Sequence, residues 1–161
     1  MTTVTPEQAR LRIAPLLGLP AWRVERGWGS FVDVQFGDPL PPDRDGTVRG
    51  RWHLWVMMAA WRLESTDRVL AGSEDAHLQQ ALDHLEGRPL TDVLITPGTL
   101  ATTFEFDTLR LRTFPLHRAD PDEGEYDHWL LWLDGTGDVL VAGSRLRIVR
   151  GDEPDEPDEE G

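Results

Sequence analysis

A phrase used twice constrains this chain most. Trp52-His53-Leu54-Trp55-Val56 runs on to Val69-Leu70-Ala71-Gly72-Ser73, and Trp129-Leu130-Leu131-Trp132-Leu133 runs on to Val139-Leu140-Val141-Ala142-Gly143-Ser144. Segments this rich in Trp, Leu and Val read as strands. Each unit is too small to bury its own apolar face, so the pattern predicts two related curved β-units closed on one core. Matching Trp52 with Trp129 brings Trp55 onto Trp132, but the Ala-Gly-Ser triplets then match only after a slip of six positions. True duplication and mere recurrence of β-hairpin composition both stay open.

The remaining patterning predicts an α+β chain that is predominantly antiparallel β, a sandwich or partly open barrel with two helices packed on the sheet. Thr5, Pro6 and Gln8 form a capping-box start for an N-terminal helix. Ala9, Ile13, Leu16 and Leu17 share a face of it, and it stops at residues 17–20. A second helix is predicted at about 74–86. Ser73 would cap it, Glu74 and Asp75 would fill its first turn, Leu78, Ala81, Leu82 and Leu85 would line one face, and Gly87 would end it.

Residues 30–37 alternate Val32, Val34 and Phe36 against Asp33 and Gln35, a half-buried strand led in by Gly27-Trp28-Gly29. A Pro- and Asp-rich loop spans 39–50. Residues 51–64 read as one long bent strand, or two with a bulge, buried on both faces where Met57 and Met58 break the alternation. Further strands are expected at 90–95, 102–106, 109–114, 129–133, 139–142 and 146–149. Residues 102–106 are expected to pair with 109–114 across Asp107-Thr108, although that pair makes a poor two-residue turn and leaves room for a longer loop. Residues 1–150 form one domain on this reading, and 151–161, alternating Asp, Glu and Pro, a disordered acidic tail.

Composition excludes several classes. The net charge is −13, but seven acidic residues lie in 152–161, which leaves 22 acidic against 16 basic residues elsewhere, a net of −6. That balance disfavours nucleic acid. Without Cys there are no disulfides or thiol nucleophiles. No run approaches the ~20 apolar residues of a membrane span and no basic leader is present, so the chain reads as cytoplasmic and not membrane-bound.

Candidate chemistry is sparse. Asp127 and His128 neighbour each other, and a carboxylate beside an imidazole can orient a general base. Adjacent strand residues point to opposite faces, however, which favours a structural contact. His53 would make a metal or ligand site if it met His128, but the better register sets it against Leu130. His77 and His84 are seven apart on a helix and His117 stands in a loop, so no metal is expected. Gly27-Trp28-Gly29-Ser30 lacks a phosphate-loop Lys, no Gly-x-Ser-x-Gly elbow occurs, and no cofactor is implied. Trp55 and Trp132 fall on the strand face opposite Trp52, Leu54, Trp129 and Leu131. The two helices available favour a covered, two-sided core; left bare, the paired indoles would mark a partner or ligand site.

Gly29-Ser30-Phe31, Trp52-His53-Leu54-Trp55-Val56, Trp61-Arg62-Leu63, Leu70-Ala71-Gly72-Ser73-Glu74-Asp75, Phe114-Pro115 and Asp127-His128-Trp129 together resemble a recurrent family of small bacterial proteins with no established activity. The resemblance covers about 27–144 and implies a domain-length unit, with no catalytic residues to carry over. The leading expectation is a non-enzymatic cytoplasmic protein-binding module, immunity- or adaptor-like, whose partner would meet Trp55, Trp132, His53, Asp127 and His128. One alternative is a small-molecule binder or enzyme with a pocket between the β-units, adding Glu105 or Glu125. The other is a self-associating structural protein. Deleting residues 152–161 is expected to leave the melting temperature unchanged, and a large drop would mean that these acids dock on Arg-bearing surface.

Overall fold

The computed structural model describes residues 2–116 and 126–150; His117, Glu125 and the expected acidic tail lie outside them. Twelve strands are described: β1 (Thr2–Thr3), β2 (Ala21–Arg26), β3 (Val32–Pro39), β4 (Gly50–Val56), β5 (Ala59–Glu64), β6 (Val69–Gly72), β7 (Asp92–Ile95), β8 (Thr102–Phe106), β9 (Leu109–Pro115), β10 (Trp129–Trp132), β11 (Val139–Ala142) and β12 (Leu146–Val149). They form two open antiparallel sheets. One runs β1-β12-β11-β10-β4-β3-β2 and the other β6-β5-β9-β8-β7. Two short helices, α1 (Pro6–Ile13) and α2 (Leu78–Leu82), complete a mostly antiparallel β architecture.

Alternation along the strands builds the core. β4 turns Trp52, Leu54 and Val56 inward, β10 turns Trp129 and Leu131, and β3 turns Val32, Val34 and Phe36. They meet Trp61 and Leu63 of β5 and Phe104, Phe106 and Leu111 of β8 and β9 in one cluster. Phe104 meets Trp129 edge-on at 5.4 Å, and Phe36 stacks on Phe106 at 6.1 Å. Among these apolar contacts the Trp129 indole N–H donates to Thr102 Oγ1 at 3.0 Å, a polar link between sheets.

The N-terminal helix starts as expected. Thr5 Oγ1 accepts from the Gln8 backbone, and Gln8 Oε1 accepts from the Thr5 backbone. Ala9, Ile13 and Leu16 are buried; Leu17, expected on the same face, turns outward after the short 3-10 turn Ala14–Leu16. The second helix is shorter than the predicted 74–86. Ser73 does not cap it, because its N–H donates to Trp61 O and its Oγ accepts from Trp61 N, continuing the β6 edge. Helix begins only at Leu78 and passes into the 3-10 turn Asp83–Leu85, with Gly87 at φ +79° as the left-handed stop.

Residues 51–64 form two strands that break at Met57 and Met58, not one long strand. Met57 and Met58 carry the chain across, so β4 and β5 belong to different sheets, and their N–H groups donate to His128 O and Asp127 O. The two copies of the phrase are also not the two sheets. β4 and β10 are hydrogen-bonded neighbours, whereas the trailing segments part, β6 to one sheet and β11 to the other. Asp107 adopts φ +60°, which Asp tolerates better than most residues, so β8 and β9 join tightly, with Phe106 opposite Leu109.

β2 escaped the sequence reading because a bulge breaks its alternation. The register shifts between Trp22 and Glu25, with Arg23 at φ +49°. Groups on and after α2 satisfy this edge: Glu86 accepts from the N–H groups of Arg23 and Val24, while Gln79 accepts from Arg26 N and donates to Val24 O. An edge occupied this way offers little to an intruding strand.

The link between sheets has a measurable consequence. Thr102→Val should destabilise the fold by about 1–3 kcal/mol, because it strands the buried indole N–H. The penalty should shrink when Trp129→Phe is already present. Denaturant titration of the four-member cycle checks this, and additive effects would show that the contact carries no energy of its own.

Candidate functional site

The same alternation that fills the core sends Arg51, His53 and Trp55 of β4 to the outer face of the seven-stranded sheet. Across β3 and β10 the register places His53 between Gln35 and Trp132, and Trp55 between Asp33 and Leu130. The His53 ring stacks on Trp132 at 4.7 Å and 16°. Trp132 lies 6.4 Å from Trp55, Trp55 meets Phe31 edge-on at 5.9 Å, and Phe31 meets Trp28 edge-on at 6.1 Å. This ladder runs from a buried imidazole to Trp28 at the tip of the β2–β3 turn, where the indole is 85% exposed.

A chain of polar groups runs beside the rings. Asp33 Oδ1 accepts from Gln35 Nε2 at 3.4 Å and is bonded to His53 Nε2. His53 Nδ1 sits 3.3 Å from Arg49 Nη1, and Arg49 Nε donates to Asp43 Oδ2 at 3.0 Å. A guanidinium only donates, so Nδ1 is the acceptor and the proton on Nε2 faces Asp33. Both imidazole nitrogens are thereby occupied in a ring that is buried. Two clefts open over this assembly and share Arg49, His53 and Trp132. The larger, about 470 Å³, is walled by Trp28, Phe31 and Trp55; the smaller, about 290 Å³, is bounded by Leu40, Arg51 and Gly135.

Neither helix lies on this face. α1 and α2 send Ala9, Ile13, Leu78 and Leu82 into the same cluster as Trp52 and Leu54, on the opposite side of β4. The covered arrangement favoured on sequence therefore does not hold among the described residues: Trp55 and Trp132 are half-buried against one another and against His53 and Phe31.

Of the sequence-predicted site residues, the structure gathers Trp55, Trp132 and His53 and leaves Asp127 and His128 apart. His128 stands four residues before Trp132, roughly 13 Å along the strand direction from His53's partner position. Its ring is buried with Nδ1 lacking a hydrogen-bond partner among the described residues, and Asp127 pairs with Arg147 Nη2 at 3.0 Å. Glu105 lies on the outer face of the other sheet, 3.8 Å from Arg110. His77 and His84 are exposed and border a separate cavity with Arg68. No group of three or more metal-ligating side chains occurs among the described residues, and no described helix is long and apolar enough to cross a membrane.

Sequence reasoning missed Asp33, Arg49, Phe31 and Trp28 as members of the site. The alternation at 30–37 already put Asp33 on the outward face, but its approach to His53 depends on the β3–β4 register, which no local pattern encodes. No family model, curated protein or solved structure matches the chain, so the geometry stands without a relative to interpret it.

His128 supplies a pH test. Burial lowers its pKa from the ordinary 6.5, partly offset by the Asp127 charge. The unfolded chain then binds the proton more readily, so this contribution to stability is whole above about pH 6.5 and is lost as pH falls through the lower folded value. His128→Asn should flatten the fall in melting temperature between about pH 7 and 5. Equal slopes for the two proteins would contradict it.

Proposed function

We propose that this chain is a non-catalytic binding module that engages another protein through the aromatic outer face of the seven-stranded sheet. The observation that carries the reading is Trp28. An indole left 85% exposed at a turn tip, backed by Phe31, Trp55 and Trp132, is the kind of rigid aromatic anchor that dominates protein interfaces. Three of the four rings sit on strands or next to one, which limits the entropy lost on docking.

The chemistry of His53 supports binding over catalysis. Its acceptor nitrogen is occupied by Arg49, which leaves no lone pair to take a proton from a substrate. The acid excess of the chain, net −13, suits a partner with a basic surface, which is the immunity- or adaptor-like relation expected from sequence.

The test is affinity capture on immobilised full-length chain from extract of the cells that make it. Wild type and Leu11→Ala, a change at an exposed residue of α1, should retain the same protein. Trp28→Ala should recover it roughly 30-fold less well, the loss expected of one anchor residue. Equal recovery on Trp28→Ala, or no protein retained above background, would overturn the proposal.

A further inference from the structure

We infer that the larger cleft receives an arginine side chain of the partner; this rests on the protein-binding reading above and names what the face recognises. The rings of Trp28, Phe31, Trp55 and Trp132 line it, and aromatic rings attract cations to their faces. The local charges select the same sign. Arg49 is matched by Asp43 at 3.0 Å. Asp33 accepts from His53 Nε2 and Gln35 Nε2 and pairs with no guanidinium among the described residues. The cleft therefore carries one carboxylate with no guanidinium partner, on a side chain 35% exposed, beside a histidine side chain only 4% exposed. That carboxylate opens toward the cleft, not the core.

An anion finds less here. Arg49 spends Nε on Asp43 and Nη1 on His53, and Asp33 repels negative charge. Between the two cationic side chains, guanidinium fits better than ammonium: it is planar, stacks on indole and is more weakly hydrated, so it enters a half-buried aromatic cleft at lower desolvation cost.

The full chain, with its Trp indoles isotope-labelled, is titrated with Nα-acetyl-arginine N-methylamide and with the lysine and citrulline analogues, following the indole N–H resonances by NMR. Arginine should shift the Trp55 and Trp132 signals saturably and bind ~10-fold more tightly than uncharged citrulline. Asp33→Asn should abolish that preference. Because this change also touches His53, Trp28→Ala serves as a second variant: it removes an exposed ring from the wall and should weaken arginine binding without altering the melting temperature. Arginine and citrulline titrating alike, or lysine binding more tightly than arginine, would overturn the inference. Loss of partner capture on Trp28→Ala alongside such a result would leave the binding face standing and remove only its arginine specificity.

Discussion

An indole buried in a two-sheet core has to meet two conditions at once: its large apolar area must leave water, and its single N–H must still find an acceptor. Trp129 meets both by reaching across to Thr102 of the opposite sheet, and Trp61 by reaching back to Ser30 O at 2.7 Å on the lead-in to β3. Half-buried Trp22 follows the same rule with Gly37 O at 2.9 Å. The apolar contacts alone would tolerate one sheet sliding on the other. The directional N–H bonds do not, so the offset of the sheets, and with it the position of every outward residue on β3, β4 and β10, follows from where these acceptors lie.

The two outer faces then diverge for a reason already present in the strands. On the five-stranded sheet the outward positions carry Arg62, Glu64, Arg110 and Arg112, and Glu64 accepts from both Arg62 Nε and Arg112 Nη1. Such a face is solvated and self-paired. On the seven-stranded sheet β10 is apolar on both sides, with Leu130 and Trp132 outward and Trp129 and Leu131 inward, and its neighbour β4 adds Trp55 outward beside His53. Strands apolar on both faces are the mark of a sheet covered on both sides, yet the described helices contribute only to the inner side. The mismatch between strand composition and cover singles this face out.

Local signals carried most of the fold. Capping at Thr5, alternation at 30–37, the left-handed stop at Gly87 and the hairpin from Trp129 to Ala142 all express short-range chemistry, and each stands as predicted. What failed depended on distant partners. Ser73 resembles a helix cap until β5 claims both its N–H and its hydroxyl, β2 loses its alternation to a bulge stabilised from Glu86, sixty residues on, and the repeated phrase dissolves because strand pairing separates its second halves. In the site, Trp55, Trp132 and His53 were legible as outward residues of similar strands, whereas Asp33 and Arg49 become members only through register. On sequence the repeat register set His53 against Leu130, not His128, and the antiparallel pairing of β4 and β10 instead sets Trp132 across from His53.

A histidine linked to a carboxylate resembles the pair that activates a nucleophile, and what separates the two cases is the second nitrogen. In a catalytic pair it faces the reacting group; here it faces Arg49, whose guanidinium can only donate. The imidazole then serves as a wall with two fixed edges. It stacks on Trp132 as a phenyl ring would, but unlike a phenyl ring it also tethers Asp33 through Nε2, while Gln35 Nε2 donates to the same carboxylate oxygen. An aspartate held at one oxygen by two donors has less rotamer freedom left to lose, so its charge is placed beside the aromatic cleft before any ligand arrives. Histidine at this position is thus accounted for by preorganisation of a neighbouring charge, and the ladder of rings and the chain of polar groups act as one recognition surface.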